Sequence, residues 1–534
     1  MTALLLASGI GVLTATGVWL LLRARTFDVP LGLTLLSYAV NLFIFAMGRA
    51  AVGVPPILRP GVPATLAQYA DPLLIAPIVL PFAAAAVLLV VERLRPRWQA
   101  PLSVAATVAL LVVAIALGQR AAGGEPAVYL LGNWPAPFGI ALALDRLSAL
   151  MLVLTATVAL PSLVYALDGW ARRGPHFHVF FQLQLAGLCG AFLTADLFNL
   201  FVFFEVLLAA SYALLLHAAD GRALRAGYHY VAINLAGSAL FLIAAAMFYG
   251  LAGTLNMADL AVKLAVAPDA DHGLLRAAGM LLLVVFAVKA AVLPLGFWLP
   301  GTYAAAPAPV AALFALMTKV GVYAVLRVSM LLFGADAGPV AGLGTTVLFA
   351  LGLATVAVGA LGTFAAVHLK GVVAFLVIVS AGTLIAAVAV GSAGALGGAV
   401  YYLAQSTIVA ALLFLLADAI GRQRGDLGDR LQSGPAVAQP ALLGLLFLGA
   451  ATAIAGLPPL TGFIGKLAIL AGAVDAPEAP WLWGVVLASG LVATMALARA
   501  GSRLFWKAGG RSEGAANLIT HCKLKIPTLV SKNI

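Results

Sequence analysis

Charge is scarce in these 534 residues: 9% are Asp, Glu, Lys or Arg against 63% hydrophobic, and the mean hydropathy is +1.10. A soluble globular chain needs far more polar surface than that. Cysteine is nearly absent, with Cys189 inside an apolar run and Cys522 near the end. Two such residues make neither a disulfide framework nor a metal set. A P-loop, a dinucleotide glycine motif after a strand, and metal-ligating Cys or His spacings are all missing. These absences argue against ATP hydrolysis, redox chemistry, a cofactor or a metal, and the chain is not expected to be an enzyme.

What is present is a succession of apolar runs about 18 to 25 residues long, enough to cross a hydrocarbon core as helices. Ala, Leu and Gly abound and ten-residue alternating strands are lacking, which argues against a barrel. The net charge of +11 lies largely in arginine clusters between runs: Arg23 and Arg25; Arg93, Arg95 and Arg97; Arg172 and Arg173; Arg222 and Arg225; Arg422, Arg424 and Arg430. Counted from the first span these are odd-numbered loops, which the positive-inside rule puts in the cytoplasm. The amino terminus is then external and the carboxyl terminus cytoplasmic, and the basic balance gives no reason to invoke nucleic acid. No basic residue precedes the first run and two arginines follow it, the reverse of a cleaved signal peptide, so it is read as a retained span.

The fold class is therefore an all-α polytopic membrane protein with about 15 transmembrane helices. They are placed at about 2–22, 28–47, 73–91, 102–117, 146–167, 178–194, 197–216, 228–250, 277–298, 308–332, 344–366, 371–391, 396–419, 438–470 and 481–505. Between Glu125 and Asp145, glycines, prolines and short β-favouring runs predict an external turn or hairpin. The 438–470 run is too long for one straight crossing and holds Gly456, Pro458 and Pro459 in its middle, so it is expected to be broken at depth. The 277–298 run carries Lys289 and, five residues later, Pro294.

Of the charges that fall inside spans, four stand out: Glu205, Lys289, Lys319 and Lys466. At about 2.5 to 3.5 kcal/mol each, they cost roughly 10 to 14 kcal/mol before pairing or hydration. A desolvated lysine can change protonation state, whereas arginine stays charged. Pro294 is expected to delete the backbone bond to residue 290 and free a carbonyl beside Lys289. Interrupted spans in two halves of a transporter point to an ion site near the midplane. Plainer readings stand beside these: a structural ion pair for Glu205 and a packing kink for Pro294. His368 and Lys370, at a span boundary, read as a membrane-surface feature before a relay. Asn234 and Ser238, four residues apart on one face, read as glue between helices. Asp145 and Asp196 lie near span ends, where capping or solvated roles are the default, and Trp481 and Trp483 suit an interfacial belt.

Three stretches resemble the D-type subunit of the Mrp-type monovalent cation/proton antiporters: GNWPAPFGIALALDRLSALM (Gly132 to Met151), KAAVLPLGFWLPGTYAAAPAPVAALFALMTKVGVY (Lys289 to Tyr323) and GLPPLTGFIGKLAIL (Gly456 to Leu470). The wider family includes antiporter-like subunits of respiratory complex I and of membrane-bound hydrogenases. LGLTLLSYAVNLFIFAMG (Leu31 to Gly48), with PPIL at Pro55 to Leu58 and DPL at Asp71 to Leu73, resembles the C-type subunit of the same complex. The resemblance implies a C-type two-helix segment over 1–72 and a D-type antiporter domain over 73–506. That domain would hold two inverted five-helix repeats with broken helices, at 178–332 and 344–505. Residues 507–534 form an atypical tail where the D-type subunits continue into a helix. One of the three spans of the C-type subunit is missing, so a fusion with a deletion or a truncated junction is expected at the front.

The resemblance also implies roles. Glu205 matches the fifth-helix glutamate of proton translocation, and Lys289 and Lys319 match the lysines of the seventh and eighth helices; Lys466 lies in the second broken helix. Glu205 would pair with Lys289, and protons would pass by Lys319 toward Lys466. Gln405 stands where the family commonly has histidine; it can orient water but cannot take up a proton. Gly296 stands where complex I relatives usually show histidine, and Pro300, Gly301, Thr302 and Tyr303 favour the Mrp group. The expected function is a proton-translocating subunit of a hetero-oligomeric Na+ or K+/proton antiporter in the bacterial cytoplasmic (inner) membrane, with other subunits, lipid, protons and monovalent cations as partners. The alternatives are a proton-pumping antiporter-like subunit of a complex I or hydrogenase assembly, and a non-transporting scaffold.

Overall fold

The computed structural model describes residues 72–506 except Pro135 and 218–220. The C-type segment and the atypical tail lie outside the described residues. Among the described residues the chain folds into sixteen α-helices and one two-stranded hairpin. In order these are α1 (Ala76–Leu94), α2 (Gln99–Ala121), the strands β1 (Ala127–Leu130) and β2 (Ala141–Leu144), α3 (Arg146–Ala166), α4 (Phe177–Leu193), α5 (Leu197–Leu216), α6 (Gly221–Ala252), α7 (Met257–Ala265), α8 (His272–Lys289), α9 (Trp298–Ala305), α10 (Ala308–Leu331), α11 (Thr345–Ala365), α12 (Leu369–Val390), α13 (Ala393–Gln423), α14 (Pro440–Ala455), α15 (Thr461–Gly472) and α16 (Ala479–Gly501). Eleven helical segments are long and apolar enough to cross a membrane, and Phe177–Leu193, Pro440–Ala455 and Thr461–Gly472 are shorter apolar helices. Together they occupy every place expected for a span between 73 and 505.

The helices sort by what surrounds them. The apolar window of α10 is buried throughout, and that of α12 nearly so. On α1, α2 and α16 the outward faces present Val79, Val87, Val90, Val112, Ile115, Leu487 and Leu491. Apolar side chains on both sides of a helix are the pattern of a bundle in lipid, where packing contacts rather than water exclusion hold neighbours together. Small residues permit that packing. A Cβ on Gly382 of α12 would lie 2.7 Å from the Gly352 carbonyl of α11, so these two backbones meet only because both residues are glycine.

The predicted hairpin is present, with Ala127 opposite Leu144 and Leu130 opposite Ala141. Leu142 also bridges to Thr194, between α4 and α5. Asp145 then caps α3: its Oδ1 accepts from the Ser148 N–H at 2.8 Å, and Ser148 Oγ accepts from the Asp145 N–H at 2.8 Å. The same carboxylate takes both arms of the Arg327 guanidinium, tying α10 to the start of α3. Burial pushes the Asp145 carboxyl up, but Arg327 and the Ser148 N–H outweigh it and hold the group below its ordinary value.

One expectation is corrected. The 277–298 run is not one kinked helix: α8 ends at Lys289, residues 290–297 are non-helical, and the chain resumes as α9. The short α7 did not stand out, because nine residues are too few for a span.

Candidate functional site

Two helix breaks organise the buried charges. In each, the helix ends in a residue with left-handed φ, Ala291 at 55° and Gly456 at 85°. In each, the following N–H folds back five residues: Val292 to the Ala287 carbonyl at 2.9 Å, Leu457 to the Thr452 carbonyl at 3.1 Å. That is the bonding of a Schellman-type helix end. A proline follows three residues after the left-handed position, Pro294 in one case and Pro459 in the other. The first helix is therefore ended by its left-handed cap at Ala291, and Pro294 sits beyond it, not inside a helix as expected. Side chains add to the backbone bonding at the first break: the Leu293 N–H donates to Thr355 Oγ1 at 3.0 Å, and the Val288 carbonyl, which accepts from the Ala291 N–H at 3.1 Å, also accepts from the Trp298 indole at 3.2 Å.

Lys289 is the last helical residue before the first break and is buried. Its Nζ donates toward three oxygens of α6: the Asn234 carbonyl at 3.2 Å, Asn234 Oδ1 at 3.4 Å and Ser238 Oγ at 3.3 Å. Ser238 Oγ in turn donates to Glu205 Oε1 on α5. The Phe204 ring centroid lies 5.7 Å from the ammonium. The expected direct pairing of Glu205 with Lys289 is thus corrected to an indirect one, with a serine hydroxyl between them. Asn234 and Ser238, read from sequence as glue, hold the lysine. Their signal was a polar pair at helical spacing in the span after the one bearing Glu205.

Lys319 lies on α10, 1% exposed, and donates to Ser380 Oγ of α12. Ser380 has given its own proton to the Val377 carbonyl at 2.7 Å. Two residues past Lys319, a Cβ on Gly321 would stand 2.4 Å from the Ala290 nitrogen, so α10 passes the first break in backbone contact. Ser380 carries no distinguishing signal in sequence: it is one of two small hydroxyl residues, with Thr383, in an otherwise apolar span.

At the second break the geometry reverses. Lys466 follows the interruption, on α15, and reaches back to the Ala455 carbonyl at 2.7 Å. Pro458 and Pro459 have no N–H, and the Leu457 N–H is turned to Thr452, so the last carbonyls of α14 lack helical donors. Gln405 of α13 meets another of them, its Nε2 donating to the Ala453 carbonyl at 3.3 Å, while its Oε1 is enclosed without a hydrogen-bond partner. Gly456 makes room for this: a Cβ there would lie 2.8 Å from Lys466 Cδ.

His368 and Lys370 are not brought to these lysines. His368 Nδ1 lies 3.1 Å from Asp429 Oδ1, and the Lys370 N–H donates to Asp429 Oδ2 at 2.9 Å. Lys370 Nζ is 3.7 Å from Asp418, which also receives Tyr165 Oη at 2.8 Å, Trp170 Nε1 at 3.0 Å and Arg422 Nε at 2.8 Å. That network fastens helix ends together. Asp196 caps α5 through the Asn199 N–H at 2.8 Å, and burial pushes its carboxyl up to about 6 despite that bond. Among the described residues no ion pair involves Lys289, Lys319 or Lys466, and no hydrogen bond leads from Lys319 or Ser380 to Lys466 or Gln405.

The comparisons with known proteins agree with this architecture. The family described as NADH:quinone oxidoreductase/Mrp antiporter, TM, matches residues 194–494, which include both breaks, Glu205 and the three buried lysines. The chain is 45% identical over 474 residues to the probable K(+)/H(+) antiporter D subunit of Rhizobium meliloti, covering 83% of this chain and 88% of that protein. It is 38% identical to the Na(+)/H(+) antiporter D subunit of Alkalihalophilus pseudofirmus, covering 83% and 89%. Among solved structures, the Mrp complex from Dietzia sp. DQ12-45-1b matches with a TM-score of 0.75 at 29% identity, covering 82% of this chain and 80% of that one. The chain belongs to the NADH:quinone oxidoreductase/Mrp antiporter membrane-subunit family.

Proposed function

We propose that this chain is the proton-translocating subunit of a multi-subunit monovalent cation/proton antiporter of the bacterial cytoplasmic membrane. One observation carries the reading: three lysines enclosed in a membrane bundle are met by neutral oxygens alone, two of them at helix breaks. An ammonium at that depth without a counter-ion is costly, and lysine, unlike arginine, sheds the charge with its proton. Broken helices whose carbonyls line the interior are the usual setting for coupled ions. In this reading Glu205 and Lys289 form the first station, Lys319 the second and Lys466 the third, within two inverted repeats. Water bridges the stretches that side chains leave open. Sodium or potassium is the coupled ion, in keeping with the names of the relatives, and the other antiporter subunits are the partners. The arginine-rich loops support an orientation with the amino terminus outside and the carboxyl terminus in the cytoplasm.

The test uses inverted vesicles containing the assembled complex. Addition of sodium or potassium dissipates an imposed pH gradient, and Lys289→Ala or Glu205→Gln abolishes that response while the complex still assembles. Exchange at the wild-type rate in both variants overturns the reading.

A further inference from the structure

The two serines that meet buried lysines differ in where their own protons go. Ser380 donates to the Val377 carbonyl, so for Lys319 it is an acceptor and its chain of donation ends on backbone. Ser238 accepts from Lys289 Nζ at 3.3 Å and donates to Glu205 Oε1, a group that can take up a proton. The ammonium, the hydroxyl and the carboxylate are thus hydrogen-bonded in series, all donors pointing the same way. The hydroxyl is enclosed, 5% of its residue's surface being exposed. Among the described residues no ion pair within 4 Å joins Lys289 to Glu205 directly, so the side-chain link between them runs through Ser238.

We propose that Ser238 is the residue that conducts the proton between Lys289 and Glu205; the proposal rests on the antiport reading above. The step balances without leaving charge on the serine. One N–H bond of the ammonium breaks and its proton goes to Ser238 Oγ. The serine's original proton passes to Glu205 Oε1, and the electron pair stays on Nζ. A neutral amine, an unchanged serine and a carboxylic acid result, and the reverse step restores the charges. An alcohol suits this place because it donates and accepts at once. Asn234, held by its amide donating to the Tyr230 carbonyl at 2.9 Å, offers Lys289 only oxygen acceptors and fixes the amine without relaying.

Inverted vesicles with the assembled complex separate this from a packing role, using Ser238→Ala and Ser238→Thr beside Glu205→Gln. Loss of a correctly placed proton-transfer group is expected to lower the maximal exchange rate about a hundredfold in Ser238→Ala. The cation KM is expected to stay as in the wild type and the complex to be recovered in normal amount. Threonine keeps the hydroxyl and restores most of the rate. If Ser238→Ala exchanges at the wild-type rate while Glu205→Gln is inactive, the serine relay is wrong and the antiport reading stands. Equal impairment of the Ala and Thr variants assigns Ser238 to packing and likewise overturns the relay. Wild-type exchange in Glu205→Gln alone removes the relay, and wild-type exchange in Lys289→Ala as well removes the antiport reading with it.

Discussion

The two helix breaks share a cap and differ in what they do with a lysine. At the first, Lys289 stands before the break and turns away from it, toward Asn234 and Ser238 on a neighbouring helix. The Asn234 carbonyl is mid-helix, where a backbone N–H four residues on already serves it. At the second, Lys466 stands after the break and turns back onto it, meeting the Ala455 carbonyl that no backbone N–H reaches. The first lysine is held by groups that do not need it; the second satisfies a carbonyl that otherwise has nothing. Similar chain geometry thus yields one lysine free to lose its partners and one that doubles as a helix cap.

Replacing each lysine by methionine tests that contrast most severely. Both variants are expected to lose cation-dependent exchange nearly completely. Only Lys466→Met strips a buried carbonyl, so it alone should lower the thermal midpoint of the purified complex, by an amount equivalent to about 1 to 3 kcal/mol. Equal melting of the two variants would erase the distinction between the breaks.

The left-handed residues give a smaller effect of the same sign. Gly456→Ala places a Cβ in a left-handed conformation and against Lys466, costing about 1 to 2 kcal/mol in backbone alone. Ala291 already tolerates φ of 55°, so Ala291→Gly should relieve strain and change the midpoint little. A rise in stability for Gly456→Ala would show that the second cap is not built as described.

An effect confined to one side of a pH window lies outside both breaks and serves as their control. Asp196 has its folded value pushed up to about 6, so its charged form is penalised by folding. The stability it contributes is full below the unfolded value of about 4 and is lost as pH rises toward 6. Asp196→Asn keeps a capping oxygen. It should therefore raise the thermal midpoint above pH 6, by on the order of 2 kcal/mol, and leave it unchanged below pH 4. The same gain at every pH would rule out ionisation as its cause.

Much of the scaffold was legible because lipid imposes a length on every crossing segment. The apolar runs marked the helices, and the hairpin announced itself by its glycines and prolines. The second break was legible from Gly456, Pro458 and Pro459 standing together. The first was not, because Ala291 carries no sign of a left-handed conformation and Pro294, three residues on, is the conspicuous helix breaker. The charges Glu205, Lys289, Lys319 and Lys466 stand out in any apolar context. Their partners do not: Ser238, Ser380 and Thr355 are ordinary small polar residues until folding decides which neighbour each one faces. Gln405 was noticed as a departure from the family, and only the fold shows its amide fastened to the end of a broken helix.

The contact of Gly321 with Ala290 has a consequence for timing. With two backbones touching, α10 cannot slide toward the first break, nor can the break relax toward α10, so the spacing of Lys289 and Lys319 is clamped. Adjustment between these two stations then falls to side-chain torsions, which turn over in picoseconds to nanoseconds when room allows, and to water. A spectroscopic probe on α10 should accordingly report a still backbone through a transport cycle whose slow events take place elsewhere in the complex.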